Sequence, residues 1–310
     1  MFTTPIQLLI STPNRLYIKR EDLLPICFGG NKYRIANEYL KDMYRLGMDC
    51  IVSYGNPRSN LCRVLSMLCY SHNIPCFIIS PDDGDGNRAE SYNKKLSQIS
   101  NAQIIQCDKK NVSASVENVL SYCENIGLKP YYIYGDIYGK GNEKTPVEAY
   151  FQVYKNELHS FVIDKAIDYV FLPVGTGMTI AGLAVASEVM NDNIKLVGIS
   201  IAREKKKAMD NVSLFCNSYL EGMDLSNLCI VDDYIMGGYG KYNEGLKDKI
   251  FNYYNQFGIS MDPTYVGKAF FGMDDWILKN NIHDSNILFI HTGGLPLWFD
   301  LLNSLKGESQ

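Results

Sequence analysis

Tyr169-Val170-Phe171-Leu172-Pro173-Val174-Gly175-Thr176-Gly177-Met178-Thr179 is the stretch on which the fold turns. An apolar run closes at Pro173, a glycine-rich turn follows, and a helix is expected from Ile180. A buried strand feeding a helix through such a turn is the unit of a parallel sheet. The turn leaves several N–H groups free at a helix start, where the dipole favours an anion. It lacks the Gly-Lys-Ser/Thr of a Walker loop and the three-glycine dinucleotide fingerprint. It therefore reads either as a tight turn or as a site for a single phosphate group, with no nucleotide implied.

The same alternation extends in both directions. Short apolar runs at 50–54, 76–80, 103–106 and 131–134 read as strands, separated by helices starting near Ser59, Arg88 and Val112. Downstream, 195–200, 229–235 and 286–292 continue the series. Residues 31–48 form an amphipathic helix, with Ala36, Tyr39, Leu40, Met43 and Leu46 on one face and Gly47 at its stop. The Asp- and Gly-rich residues 81–87 join a strand to its helix, and Gly139-Lys140-Gly141-Asn142 reads as a crossing between sheet units. The fold class is α/β, with mainly parallel sheets covered by helices.

A chain of 310 residues has a length prior of roughly two domains. A net charge of -4 provides no basic surface for a phosphate backbone, so nucleic acid is not an expected partner. No apolar run approaches the roughly 18 residues of a membrane helix, and Met1-Phe2-Thr3-Thr4-Pro5 does not open a secretory leader. Nine cysteines without Cys-x-x-Cys pairs fit reduced thiols; Cys62, Cys69 and Cys76 read as one helix face followed by a strand. His72, His159, His283 and His291 have no ligand spacing, so no metal is expected. The triple lysine at 205–207 reads as a solvated helix face.

Four constellations could carry chemistry. Lys19-Arg20-Glu21-Asp22 precedes Gly29-Gly30-Asn31-Lys32, which places Lys32 in the first turn of the early helix. There the positive helix end disfavours an ammonium and helps present a neutral, nucleophilic amine; the alternative is an ordinary surface lysine. The turn at 175–179 is the second. In Tyr54-Gly55-Asn56-Pro57-Arg58-Ser59-Asn60, Ser59 either caps the following helix or offers its hydroxyl to a substrate. The last group is Gly237-Gly238-Tyr239-Gly240, Asp262-Pro263-Thr264-Tyr265 and His291-Thr292-Gly293-Gly294, all near element ends, where open sheets collect ligands.

In this order the motifs resemble the fold type II pyridoxal-phosphate enzymes, in the branch of D-cysteine desulfhydrase and 1-aminocyclopropane-1-carboxylate deaminase. The resemblance runs from Lys19 to Gly294 and is most specific at residues 29–32, 59–60, 262–269 and 287–294. It implies a tryptophan synthase β-like fold of two open twisted sheets. A large cofactor-binding domain (1–47 and 145–310) would hold a small inserted one (48–144). It further implies that Lys32 carries pyridoxal 5′-phosphate as an imine and that Gly175, Thr176, Gly177, Met178 and Thr179 bind the phosphate. Asn60 and Thr292 would contact the cofactor, Arg58, Ser59 and Asn60 the substrate, and Tyr239 and Tyr265 the reacting side. Catalysis would thus rest on Lys32, Ser59, Tyr239 and Tyr265 in a cytoplasmic homodimer.

Several positions depart from the family pattern. Val266 stands where the deaminases have Glu and the desulfhydrases a hydroxyl residue, which leaves the pyridine nitrogen without a partner there. Arg58 replaces Gln, Leu61 replaces His, and Ile35 replaces a basic residue, while Thr292 has the desulfhydrase form. The resemblance implies β-elimination from D-cysteine or a related β-substituted amino acid, giving pyruvate and ammonia. The alternatives are cyclopropane ring-opening to 2-oxobutyrate, a lyase for an anionic amino acid such as cysteate (motivated by Arg58), and a binding protein that has lost catalysis.

Overall fold

The computed structural model describes residues 2–82 and 91–305. Among these, the strands in chain order are β1 (Ile6–Ile10), β2 (Arg15–Arg20), β3 (Cys50–Tyr54), β4 (Cys76–Asp82), β5 (Gln103–Asp108), β6 (Pro130–Tyr132), β7 (Tyr169–Val174), β8 (Lys195–Ser200), β9 (Leu228–Val231) and β10 (Asn286–His291). The helices that matter for the site are α1 (Asn31–Arg45), α2 (Asn60–Ser71), α3 (Tyr92–Ile99), α4 (Val112–Asn125), α5 (Lys144–Val153), α6 (His159–Asp164), α7 (Met178–Val189), α8 (Lys205–Tyr219), α9 (Glu244–Phe257) and α10 (Val266–Lys279). The α/β class is as expected, and every strand pair is parallel except β1 with β2.

The chain divides into two compact units, one of Met1–Asn31 with Val147–Gln310 and one of Lys32–Pro146. The sequence reading began the inserted part at residue 48, whereas this unit begins at Lys32 and includes nearly all of α1. Its tyrosines hold α1 there: Tyr131 Oη donates to Asp42 at 2.7 Å, and its ring lies 6.4 Å from that of Tyr39.

In the first unit the sheet order is β1-β2-β10-β7-β8-β9. The inner strands are buried on both faces, which is why β7, β8 and β10 read as continuous apolar runs. Phe171, Ile199, Phe270 and Phe289 anchor the core between sheet and α10. Helix α7 is apolar all round and buried from Met178 to Ser187, so its start is fixed firmly at the end of β7.

In the second unit the order is β5-β4-β3-β6, with Val52, Phe77, Ile79, Val116 and Cys123 packed between sheet and α4. Helix α1 stops at Arg45, short of the expected Met48, because Gly47 (φ +67°) turns the chain. The Met48 and Gly47 N–H groups then close back on Met43 and Tyr44 carbonyls, a Schellman ending. Strand β9 ends at Val231, before the expected residue 235, where Asp232 leaves the sheet to accept the Lys205 N–H at 2.6 Å. The helix start expected near Arg88 lies outside the described residues; α3 is described from Tyr92. Cys62 and Cys69 lie on α2 and Cys76 opens β4; all nine thiols are free. The lysines at 205–207 are exposed.

Candidate active site

The start of α1 is fixed by backbone packing in the first unit. Gly30 N donates to Glu21 O at 2.8 Å and Asn31 N to Thr292 O at 3.0 Å. Gly30 and Gly293 adopt φ of +100° and +93°, and a Cβ on Gly293 would fall 2.5 Å from Gly30 Cα. Only glycine permits that approach. The strip 292–294 is itself set by His291, which accepts from Gly293 N through Nδ1 at 3.2 Å, leaving Nε2–H to donate to Ser260 O at 2.8 Å.

Asn31 Nδ2 then donates to Thr179 Oγ1 at 2.8 Å. This ties the residue before Lys32 to the glycine turn after β7, so the Lys32 Cα is one peptide, about 3.8 Å, from an anchored neighbour. Gly177 caps α7 at φ +101° with no side-chain cap, and a Cβ there would meet Val212 Cγ2 at 2.9 Å. The first-turn N–H groups therefore remain available to an anion. Arg203 Nη1 donates to Gly175 O, adding a cation beside the turn.

On the same unit, Tyr265 Oη donates to Tyr239 Oη at 3.0 Å, with the rings edge-on at 5.7 Å. Both tyrosines are half-buried, and a Cβ on Gly175 would lie 3.4 Å from the Tyr265 ring. The pair is held from beneath. Asp262 accepts the N–H groups of Thr264, Tyr265 and Val266 at 2.9, 2.9 and 3.1 Å and so fixes the turn that leads into α10. Burial pushes its carboxyl up to about 6 despite those bonds. Lys268 donates to the carbonyls of Ile201, Ile235 and Gly238 at 3.0, 2.8 and 2.8 Å, fastening the loop that carries Tyr239. Val266, fully buried, brings no polar atom to this corner.

Four of the expected residues lie in the second unit. Ser59 is the N-cap of α2, its Oγ accepting from Cys62 N at 3.2 Å, so the hydroxyl proton can still be donated. Asn60 follows in the first turn, buried, with Oδ1 accepting from Asn93 at 2.9 Å. Arg58 is half-buried, and its N–H donates to Asn56 Oδ1 at 3.0 Å. Lys32 occupies the first turn of α1, and withdrawal from water pushes its amine down to about 8.

One motif has a different role from the chemistry it suggested. Lys19 pairs with Glu157 at 2.5 Å and with Thr4 O at 2.8 Å, while Arg20 grips Asp22 at 2.7 Å. Glu21 accepts from Thr4 Oγ1 and Tyr150 Oη at 2.6 and 2.9 Å. These charges build the floor under residues 29–31. Conversely, Asp262 and Lys268 have structural roles that the sequence motif at 262–269 does not announce; an Asp with three N–H groups following it is the available signal for the first. Asn93 carried none.

These groups fit a phosphorylated aldehyde. An uncapped helix start and a glycine turn suit the phosphate, and a lysine with a depressed pKa, next in the chain to Asn31, suits the carbonyl carbon. The chain belongs to the family of pyridoxal-phosphate dependent enzymes, which it matches over residues 3–293. Among its relatives are D-cysteine desulfhydrases from Salmonella typhi and Klebsiella pneumoniae. The first is 29% identical over 92% of this chain and 88% of the relative, and the second is 28% identical over the same shares. A crystal structure of an ACC deaminase homologue superposes with a TM-score of 0.80 at 25% identity, covering 99% of this chain and 94% of that one. A hydrogen sulfide-producing enzyme from Fusobacterium nucleatum shares the fold at a TM-score of 0.65 and 18% identity, covering 94% of each chain. No described helix is long and apolar enough to cross a membrane, and no group of three or more metal-ligating side chains occurs among the described residues.

Proposed function

We propose that this enzyme catalyses β-elimination from D-cysteine or a close β-substituted amino acid, with pyruvate, ammonia and the β-substituent as products. The observation that carries the reading is the phenol pair Tyr239–Tyr265, braced by Asp262 and Lys268 beside the Gly175 turn. Similarity to D-cysteine desulfhydrases along nearly the whole chain supports it. When bound, pyridoxal phosphate supplies an electron sink for negative charge at the substrate Cα.

In this reading the N–H groups of 175–179 and the hydroxyl of Thr179 hold the phosphate, with Thr292 alongside, and Lys32 is the attachment point. Ser59, Asn60 and Arg58 receive the substrate carboxylate. Lys32, neutral in part near pH 8, takes the Cα proton. The tyrosine pair gives a proton to the departing sulfur, so it leaves as neutral hydrogen sulfide, and the unsaturated amine left behind takes up water to yield pyruvate and ammonium. Val266 fits this course: it would offer the cofactor no hydrogen-bonding side chain, which suits a substrate with a good leaving group. The larger unit is read as the cofactor-binding domain and the other as a small inserted α/β domain. A homodimer in a reducing, cytoplasmic compartment is proposed on the family likeness and the nine free thiols.

The test is product analysis. D-cysteine, L-cysteine, 1-aminocyclopropane-1-carboxylate and D-cysteate are each incubated with the cofactor-loaded protein, and sulfide, pyruvate and 2-oxobutyrate are measured. Sulfide and pyruvate in equal amounts from D-cysteine, abolished by Lys32→Ala, are expected. Release of 2-oxobutyrate from the cyclopropane substrate without sulfide from cysteine would replace this reading with the deaminase one.

A further inference from the structure

Asn93 lies in the first turn of α3, beside the N-cap Ser91, and its side chain is buried. Its amide nitrogen donates twice, to the carbonyl oxygen of Arg58 at 2.8 Å and to Oδ1 of Asn60 at 2.9 Å. A backbone carbonyl can only accept, so the Asn93 atom facing Arg58 must be nitrogen. The same nitrogen faces Asn60, and so the Asn60 atom opposite must be oxygen. Turning over Asn93 would set its oxygen against two others, and turning over Asn60 alone would set one NH2 against another.

The orientation of Asn60 is thereby read from an unambiguous acceptor two residues earlier. Its NH2 points away from Asn93, and it has no hydrogen-bond partner among the described residues. Asn93 Oδ1 is buried without a partner. A small apolar residue there would avoid that desolvation cost, so the two donated bonds are what this side chain supplies.

We propose that Asn93 is a positioning residue. It locks the Asn60 amide so that the α2 N-terminus presents N–H donors to a negatively charged oxygen, either the substrate carboxylate or the phenolic oxygen of the cofactor. Both oxygens share one chemistry, and the positive end of α2 reinforces it. The proposal rests on the reading of Asn60 as ligand-facing given above.

The test compares Asn93→Ala, Asn93→Asp, Asn60→Asp, Asn60→Ala and the Asn60→Ala/Asn93→Asp double variant. Three quantities are measured: the dissociation constant for pyridoxal phosphate by visible absorbance, KM for D-cysteine, and the thermal midpoint of the cofactor-free protein. Asn93→Asp offers only acceptors, which turns the Asn60 amide over and aims its oxygen at the ligand. One of the two constants is then expected to rise about tenfold or more. A rise in the cofactor constant identifies the phenolic oxygen as the partner, and a rise in KM alone identifies the carboxylate. Asn93→Ala only frees the amide, so its effect on that constant is smaller, although its thermal midpoint also falls. In the Asn60→Ala background Asn93→Asp adds nothing to either constant, as coupling through one residue requires. Asn60→Asp keeps an oxygen toward Asn93 and so keeps the thermal midpoint while binding weakens; this arm decides the matter if Asn93→Asp fails to fold.

Variants of Asn93 that lower the thermal midpoint while both constants stay at the wild-type values would overturn the proposal. So would an Asn93→Asp effect undiminished without Asn60, or Asn60→Asp protein that binds as well as wild type. Wild-type protein that never takes up pyridoxal phosphate would overturn the parent reading, and this one with it.

Discussion

The pKa of Lys32 sets a pH dependence that can be worked out in advance. Burial lowers the amine from 10.5 to about 8, and the start of α1 acts in the same direction. At pH 7 an amine titrating near 8 is neutral in about 9% of molecules, against about 0.03% for an ordinary lysine, a ratio of roughly 300. The assay mixes cofactor-free protein with excess pyridoxal phosphate at a series of pH values and follows the growth of visible absorbance. The rate constant should climb about tenfold per pH unit up to pH 8 and level off above it. A rate still climbing at that slope to pH 10 would show a solvated lysine and refute the reasoning. The linkage has a definite sign. The folded pKa lies below the unfolded one, so between about 8 and 10.5 the folded state binds fewer protons and gains stability as pH rises. Lys32→Met should therefore stabilise the cofactor-free protein at pH 7. The interval between the two pKa values bounds this gain at roughly 3 kcal/mol, and partial exposure of the side chain reduces it.

Three further outcomes follow from the geometry. Gly293→Ala drives a Cβ to 2.5 Å from Gly30 Cα and needs a left-handed alanine, so urea unfolding should show a loss of about 3 kcal/mol, with weakened cofactor uptake. Lys268→Met leaves three carbonyls without their donor, for a loss of about 3 kcal/mol in the same assay and a lower kcat as the Tyr239 loop loosens. Tyr239→Phe and Tyr265→Phe keep the ring contact while removing a hydroxyl; kcat for D-cysteine should fall about 100-fold in each, with thermal midpoints nearly unchanged.

What could be read from the residues depended on how local the physics was. Strand 195–200 was legible to the residue because its burial on both faces leaves a continuous apolar run. The starts of α1 and α2 were legible because glycines and a capping serine mark them. The hairpin of β1 and β2 was not, since β1 leaves Leu8 exposed and β2 carries Lys19, whose charge is met by Glu157 far along the chain. Tertiary pairing overrode the local pattern there. At the site, Ser59 was rightly weighed as a cap, and the turn at 175–179 was visible from spacing. Asp262 and Lys268 were passed over because their partners are backbone groups, which no pattern of side chains announces.

The parallel pairing of β2 with β10, Arg15–Arg20 beside Asn286–His291, has a consequence for synthesis. The β1–β2 hairpin emerges from the ribosome long before its neighbour β10 in the sheet. In the interval the contiguous stretch Lys32–Pro146 has all its own strands and can condense, while the hairpin waits with an open edge. The anchoring of Asn31 on Thr292, and with it the placement of the amine next door, thus waits until Thr292 has been made. A chain cut short before β10 would hold a finished insert and a lysine whose neighbour is not anchored.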